Sequence, residues 1–185
     1  DLIRLNQRHA RLGETIAEAE RFLALPPSEP DGERHRAPPA PTGSPHAARR
    51  LFAASGLLAG SLAAAYLRSR GITRLHDLPA LRFHPHCYYR PGRRDASGTA
   101  RAFPALFAAV TDDAGVQTGT HRTWLETRGG GKANVATPRR AMGDILGASV
   151  RFGSCREVMI AGEGIETILS LREVLPNLPV MAATS

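Results

Sequence analysis

Glu163 stands between two glycines in the run Val158-Met159-Ile160-Ala161-Gly162-Glu163-Gly164. An apolar run that stops at glycine, followed by residues with helical spacing, predicts a strand, a turn at Gly162-Glu163-Gly164 and a helix. In open α/β sheets ligands bind beyond the carboxyl ends of the strands. A carboxylate there can serve as a general base or help to hold a divalent metal. It can equally be an acidic residue placed by the favourable field of a helix N-terminus.

The candidate cations are Arg122, Lys132, Arg139 and Arg140, which could hold nucleic-acid or nucleotide phosphates. Lys132 follows Gly129-Gly130-Gly131, whose amides could approach a phosphate. The segment lacks the leading glycine of a Walker A loop, and Ala133 stands where Ser or Thr would bind magnesium. For each cation a solvated surface position is the alternative. His121 and Trp124 could stack on a base, although a strand core explains Trp124 equally well. His84-Pro85-His86-Cys87 lacks the second ligand pair of a structural zinc site, so no zinc is expected in this chain; His84 and His86 are expected to share one strand face.

The elements that must position these residues follow from periodicity. Val158–Ala161 reads as a strand buried on both faces. Ile165–Leu175 reads as a helix, and Pro179–Ala183 as a second buried strand. A right-handed crossover makes that βαβ unit parallel. Upstream, Phe103–Thr111 and Val116–Leu125 are strand-prone and flank Asp112-Asp113-Ala114-Gly115, a hairpin signal. Ala148–Phe152 is a further short strand. Leu62–Arg70 is predicted helical, with Ser61 as N-cap and Gly71 just past its end, and Ala48–Ala54 is a shorter helix. Residues 1–25 carry Ile16, Ala19 and Leu23 at helical spacing. Residues 26–47 hold half of the 14 prolines and read as a linker.

The net charge of +7 favours a polyanionic partner, and Lys132 is the one lysine, so nearly all the positive charge is arginine. A GC-rich coding sequence that writes Arg wherever a solvated cation will do explains the charge equally well. Arginine suits bidentate phosphate contacts. Cys87 and Cys155 build neither a disulfide framework nor a cysteine-only zinc site, and two free thiols are expected. No apolar stretch reaches membrane-span length, and residues 1–25 lack a signal-peptide core. A soluble, cytoplasmic protein is expected.

Val158 to Thr167, followed by Leu169-Ser170-Leu171, resembles the first motif of the Toprim fold, and its Glu-Gly-x-x-Thr form is similar to that of DNA primases carried by plasmids and phages. Ala65 to Ile72, Leu81 to Pro85, Gly119 to Leu125, Gly131 to Ala133 and Pro138 to Gly143 resemble the region that precedes Toprim in those primases. The resemblance implies an α+β primase region followed by the start of an α/β Toprim domain. Its divisions would be a helical tail of an upstream module (1–25), a Pro-rich linker (26–47), a primase-associated domain (48–153) and the first part of Toprim (154–185).

Glu163 then maps onto the catalytic acid–base residue, with Gly162, Gly164 and Thr167 supporting the motif. Many relatives have Asp where Thr167 stands. The resemblance also implies magnesium, held by an Asp-x-Asp motif that does not follow Glu163 here, so the metal site would be incomplete and the chain inactive alone. Single-stranded DNA and nucleoside triphosphates would be the partners, with a replicative helicase as a further one. A non-catalytic nucleic-acid-binding module, or a Toprim nuclease or topoisomerase, is the alternative.

Overall fold

The computed structural model describes Glu14, Ala17, Glu18, Arg21 and residues 44–92, 101–128, 130–154 and 157–183. The chain divides into two compact units, Asp1–Pro39 and Ala40–Ser185. In the first unit the four described residues are helical, and Arg21 pairs with Glu18. The rest of the helix expected over 1–25 lies outside the described residues, as do positions 26–43 of the expected linker, Gly129 and Cys155.

The second unit is α+β: a seven-stranded mixed sheet and three helices among the described residues. Helix α1 spans Pro45–Ala53, α2 Leu62–Ser69 and α3 Ile165–Val174. The strands are β1 Leu81–Tyr89, β2 Arg101–Thr111, β3 Gln117–Trp124, β4 Arg139–Gly143, β5 Ser149–Phe152, β6 Ile160–Glu163 and β7 Val180–Ala183. The sheet runs β4-β3-β2-β5-β7-β6, with β1 also paired to β2. β6 and β7 are parallel and every other pair is antiparallel. Because β5 pairs with β7, hydrogen bonding is continuous across the boundary expected at 153/154.

The sequence signals act locally. Ser44 Oγ accepts from the Ala47 amide at 3.1 Å and Pro45 opens α1, so the helix starts three residues ahead of its expected first residue. Proline at the first helical position has its φ already set and no amide to satisfy. Ser61 Oγ caps α2 by accepting from the Ala64 amide at 3.2 Å, and Gly71, with φ +80°, closes its far end. In the β2–β3 hairpin Asp112 Oδ1 accepts from the Val116 amide at 2.9 Å.

Strand β2 shows how the two faces divide. Leu106, Ala108 and Val110 join the core beneath α2 and α3, while Ala105 and Phe107 join a second core with Leu51 and Phe52 of α1. In β1 the register jumps between His84 and Cys87, where one extra residue reverses which side chains face which core. Leu81 therefore lies in the first core, and Cys87 and Tyr89 in the second. The bulge also separates the two histidines expected on one face. His84 stacks on Phe107 with ring centroids 5.6 Å apart, while His86 lines a different cavity beside Phe83 and Pro104.

Two expectations near the carboxyl end need correction. The strand is β6, and it is not buried on both faces: Ala161 and Glu163 are exposed, and Val158 ahead of it is 60% exposed. β6 ends the sheet path and pairs only with β7 among the described residues; Gly162 lies against Ile168 of α3, while Ala161 and Glu163, on the other face, are exposed. The turn is also narrower than expected. Gly162 and Glu163 belong to the strand, and Gly164 alone, with φ +81°, reverses the chain into α3.

Gly143 closes β4 with φ +97°, opposite Gly119 of β3. A methyl group there would lie 2.8 Å from Gly119 Cα and closer still to the Thr118 carbonyl oxygen. Gly143→Ala combines a strained φ with a backbone collision and should cost on the order of 3 kcal/mol. Urea unfolding would measure this, and an unchanged midpoint would show that the β3–β4 end relaxes freely.

Candidate functional site

The carboxyl ends of β6 and β7 and the amino end of α3 open onto a cavity of about 480 Å³. Its lining comes from both ends of the sheet: His121 of β3 and Arg139 of β4 on one side, and Glu163, Glu166 and Thr167 on the other. Glu163 is the last residue of β6, exposed at the cavity wall, and its backbone pairs with Ala183 of β7. Gly162 lets β6 approach α3 closely, since a Cβ there would sit 3.0 Å from Ile168 Cδ1.

Glu166, in the first turn of α3, is the best-anchored acid of the site. Lys132 Nζ lies 2.8 Å from its Oε1, and the Tyr66 hydroxyl donates to the same oxygen at 2.6 Å. Burial alone would raise its pKa; the hydrogen bonds from Lys132 and Tyr66 outweigh that and hold it down to about 2. Burial, then the hydrogen bond to Glu166, pushes the Tyr66 phenol well above its usual range, so it remains a donor. His121, 6% exposed, is pushed down to about 4, first by burial and then by Arg139, with Glu166 opposing. Its imidazole is neutral near pH 7.

Because the folded Glu166 titrates below its unfolded value of 4.5, its contribution to stability is complete above that value and fades as the pH falls toward about 2. The shift converts to about 3 kcal/mol. Wild type should lose that much more stability than Glu166→Gln between neutral pH and pH of about 2. Denaturant unfolding across that range would measure the difference, and parallel acid limbs would show that the ion pair contributes nothing.

The four cations singled out from the sequence separate into two pairs. Lys132 and Arg139 belong to the carboxylate cavity, Lys132 through its ion pair. Arg122 and Arg140 face each other across β3 and β4 on the opposite side of the sheet. Arg122 Cζ lies 5.0 Å from the Trp124 ring centroid, and Arg140 Cζ 4.5 Å from that of Tyr89. Arg140 also donates to the Arg90 carbonyl at 2.6 Å and to the Tyr89 hydroxyl at 2.9 Å. Both are integrated into the aromatic core there. Trp124 is 1% exposed, which leaves no open ring face for a base.

Neither Tyr66 nor Glu166 was foreseen as a site residue. They are 100 positions apart, and no local pattern links a tyrosine on α2 to an acid on α3. Among the described residues no group of three or more His, Cys, Asp or Glu converges to hold a metal. Glu166 is occupied by Lys132 and Tyr66, so Glu163 is the carboxylate left to offer a ligand. The described residues do not by themselves build the magnesium site that the resemblance implies.

A family model described as a domain of unknown function, DUF7146, matches residues 42–152. The chain belongs to the DUF7146 family. No curated protein and no solved structure matches it. The DUF7146 region supplies Tyr66, His121, Lys132 and Arg139, whereas Glu163, Glu166 and Thr167 lie beyond its matched end. The cavity is therefore built jointly by the DUF7146 region and the βαβ segment that follows. Among the described residues no helix is long and apolar enough to cross a membrane.

Proposed function

We propose that this chain is the catalytic-region portion of a Toprim-type DNA primase of the mobile-element kind, in which Glu163 moves the proton of the attacking 3′ hydroxyl. The observation that carries the reading is the placement of Glu163. It is an exposed carboxylate at the carboxyl end of a parallel strand, followed by a left-handed glycine and a helix, and it shares a cavity with Arg139. An exposed carboxylate on a fixed strand end can accept and return a proton without paying for burial of its charge. Arg139 gives the same cavity a cation suited to phosphate oxygens. Lys132, held on Glu166, ties the loop after β3 to α3 and keeps the two walls together.

On this reading the substrates are nucleoside triphosphates on a single-stranded DNA template in the cytoplasm, and a replicative helicase is a further partner. Magnesium, when bound, neutralises triphosphate charge and activates the hydroxyl; Glu163 would be this chain's carboxylate toward it. Arg122 and Arg140 serve the fold of the primase region and not the substrate.

The deciding experiment is primer synthesis by the full-length protein on single-stranded DNA with all four ribonucleotides and magnesium. Template-dependent short RNA products are expected. Strand nicking without synthesis would turn the reading to a Toprim nuclease, and DNA binding with neither activity would leave a non-catalytic binding module.

A further inference from the structure

At the start of β2, alternate side chains open onto two cavities, one on each face of the sheet. Ala102 and Pro104 line a cavity of about 450 Å³ with Phe83, Pro85 and His86. Arg101 and Phe103 line another, of about 410 Å³, with Arg128 and Asn134. Thr127 borders both, so the two lie side by side around the end of the sheet. Neither contains a residue of the Glu163 cavity.

The first cavity has no acidic side chain in its lining and is walled by rings. Tyr88 stands opposite Ala102 in the β1–β2 pairing, which puts its side chain on the same face, and it is 77% exposed. The extra residue of the β1 bulge is what turns Tyr88 to this side. The second cavity sets two arginines against one acid, Glu126, and Arg101 Cζ lies 5.3 Å from the Phe103 ring centroid. Open rings beside cations suit an unpaired nucleic-acid strand, whose bases stack on the rings while its phosphates meet the guanidinium groups. A duplex keeps its bases stacked on one another and has none to offer. An added peptide strand fits poorly: Pro85 has no amide, and the His86 amide is donated to His84 Nδ1 at 3.2 Å. The loop between β3 and β4 joins this surface to Glu163. Ala133 and Asn134 line the arginine cavity, while Lys132 beside them is held on Glu166.

We propose that the surface running from Tyr88 across Thr127 to Arg101 and Arg128 binds single-stranded DNA. Bases stack on Tyr88 and His86, the two arginines hold phosphates, and the strand leads past Lys132 to the Glu163 cavity. That last step rests on the primase reading; the binding itself does not.

Fluorescence anisotropy of a labelled oligothymidylate of about 12 nucleotides, with neither magnesium nor nucleotides present, tests it. Saturable binding is expected, and Tyr88→Ala should weaken it about tenfold, the size of one lost base stack. Arg101→Ala with Arg128→Ala should also weaken it about tenfold, and should reduce the slope of log affinity against log salt by about 1.4. Arg50→Ala with Arg68→Ala removes the same charge from α1 and α2, outside both cavities, and should change affinity by less than about twofold. All these side chains are exposed, so folding is spared. Trp124 is buried, so Tyr88→Trp adds an exposed indole whose emission a stacked base should quench. Absence of saturable binding, equal losses from the two arginine pairs, an unquenched indole, or a duplex bound as tightly as the single strand would each overturn the proposal. Tighter binding of oligouridylate would overturn the assignment to DNA. If wild type binds and primes while Tyr88→Ala and the Arg101 and Arg128 pair keep full affinity, the surface fails and the primase reading stands. If the variants lose binding as expected and no primers form, the reverse holds.

Discussion

Glu163→Gln is expected to lower primer synthesis by the full-length protein about a thousandfold, the usual range for loss of a positioned general base, with single-stranded DNA binding almost unchanged. The substitution keeps the shape of the side chain and removes the proton acceptor. It should fold normally, because Glu163 is exposed at the end of β6 and its strand pairing to β7 is made by the backbone. Binding should hold or tighten slightly, since a carboxylate facing a polyanion opposes association. The effect should therefore fall on kcat, with the dissociation constant for DNA nearly fixed. Glu163→Asp, which draws the carboxylate back by one methylene, should fall between the two. Synthesis at the wild-type rate by the glutamine variant would remove Glu163 from the chemistry.

Trp124→Ala should produce the largest loss of stability, about 4 kcal/mol. The side chain is 1% exposed, and its ring meets Tyr89 edge-to-face at 5.1 Å and 87°. Its Nε1–H donates to the Cys87 carbonyl at 3.2 Å, which ties β3 to β1 across β2. The guanidinium of Arg122 lies over the ring, and Arg140 Cζ is 5.8 Å from it. Alanine would leave a cavity beneath two cations and release Tyr89, whose hydroxyl accepts from Arg140. Trp124→Phe keeps most of the packing and loses the hydrogen bond, and should cost about 1 kcal/mol. Urea unfolding of the two variants would order them. Similar small losses from both would mean that the α1 face of the sheet repacks easily.

What could be read from the sequence was whatever depends on neighbours along the chain. Ser61 and Gly71 bracket α2 because capping needs only a side-chain oxygen and a left-handed residue at the ends of one helix. The hairpin at Asp112-Asp113-Ala114-Gly115 and the parallel β6–α3–β7 unit follow from local turn chemistry and the handedness of crossovers. Glu163 could be singled out for the same reason, since its glycines and the strand before it are adjacent in sequence.

The strand β4, the bulge in β1 and the exposed side of β6 were not legible, because each depends on which strand pairs with which. A one-residue bulge reverses the faces of everything beyond it, and no spacing rule announces where it falls. The composition of the site was hidden for a related reason. Arg139 and Arg140 are adjacent and chemically identical, yet strand alternation sends one to the carboxylate cavity and the other to the Tyr89 ring. Tyr66, Lys132 and Glu166 meet only because strands and helices far apart in the chain fold over one cavity. Short-range chemistry determined the elements and the acid at the strand end; pairing and packing decided which donors share a cavity with it, because long-range contacts leave no periodic trace in the residues that make them.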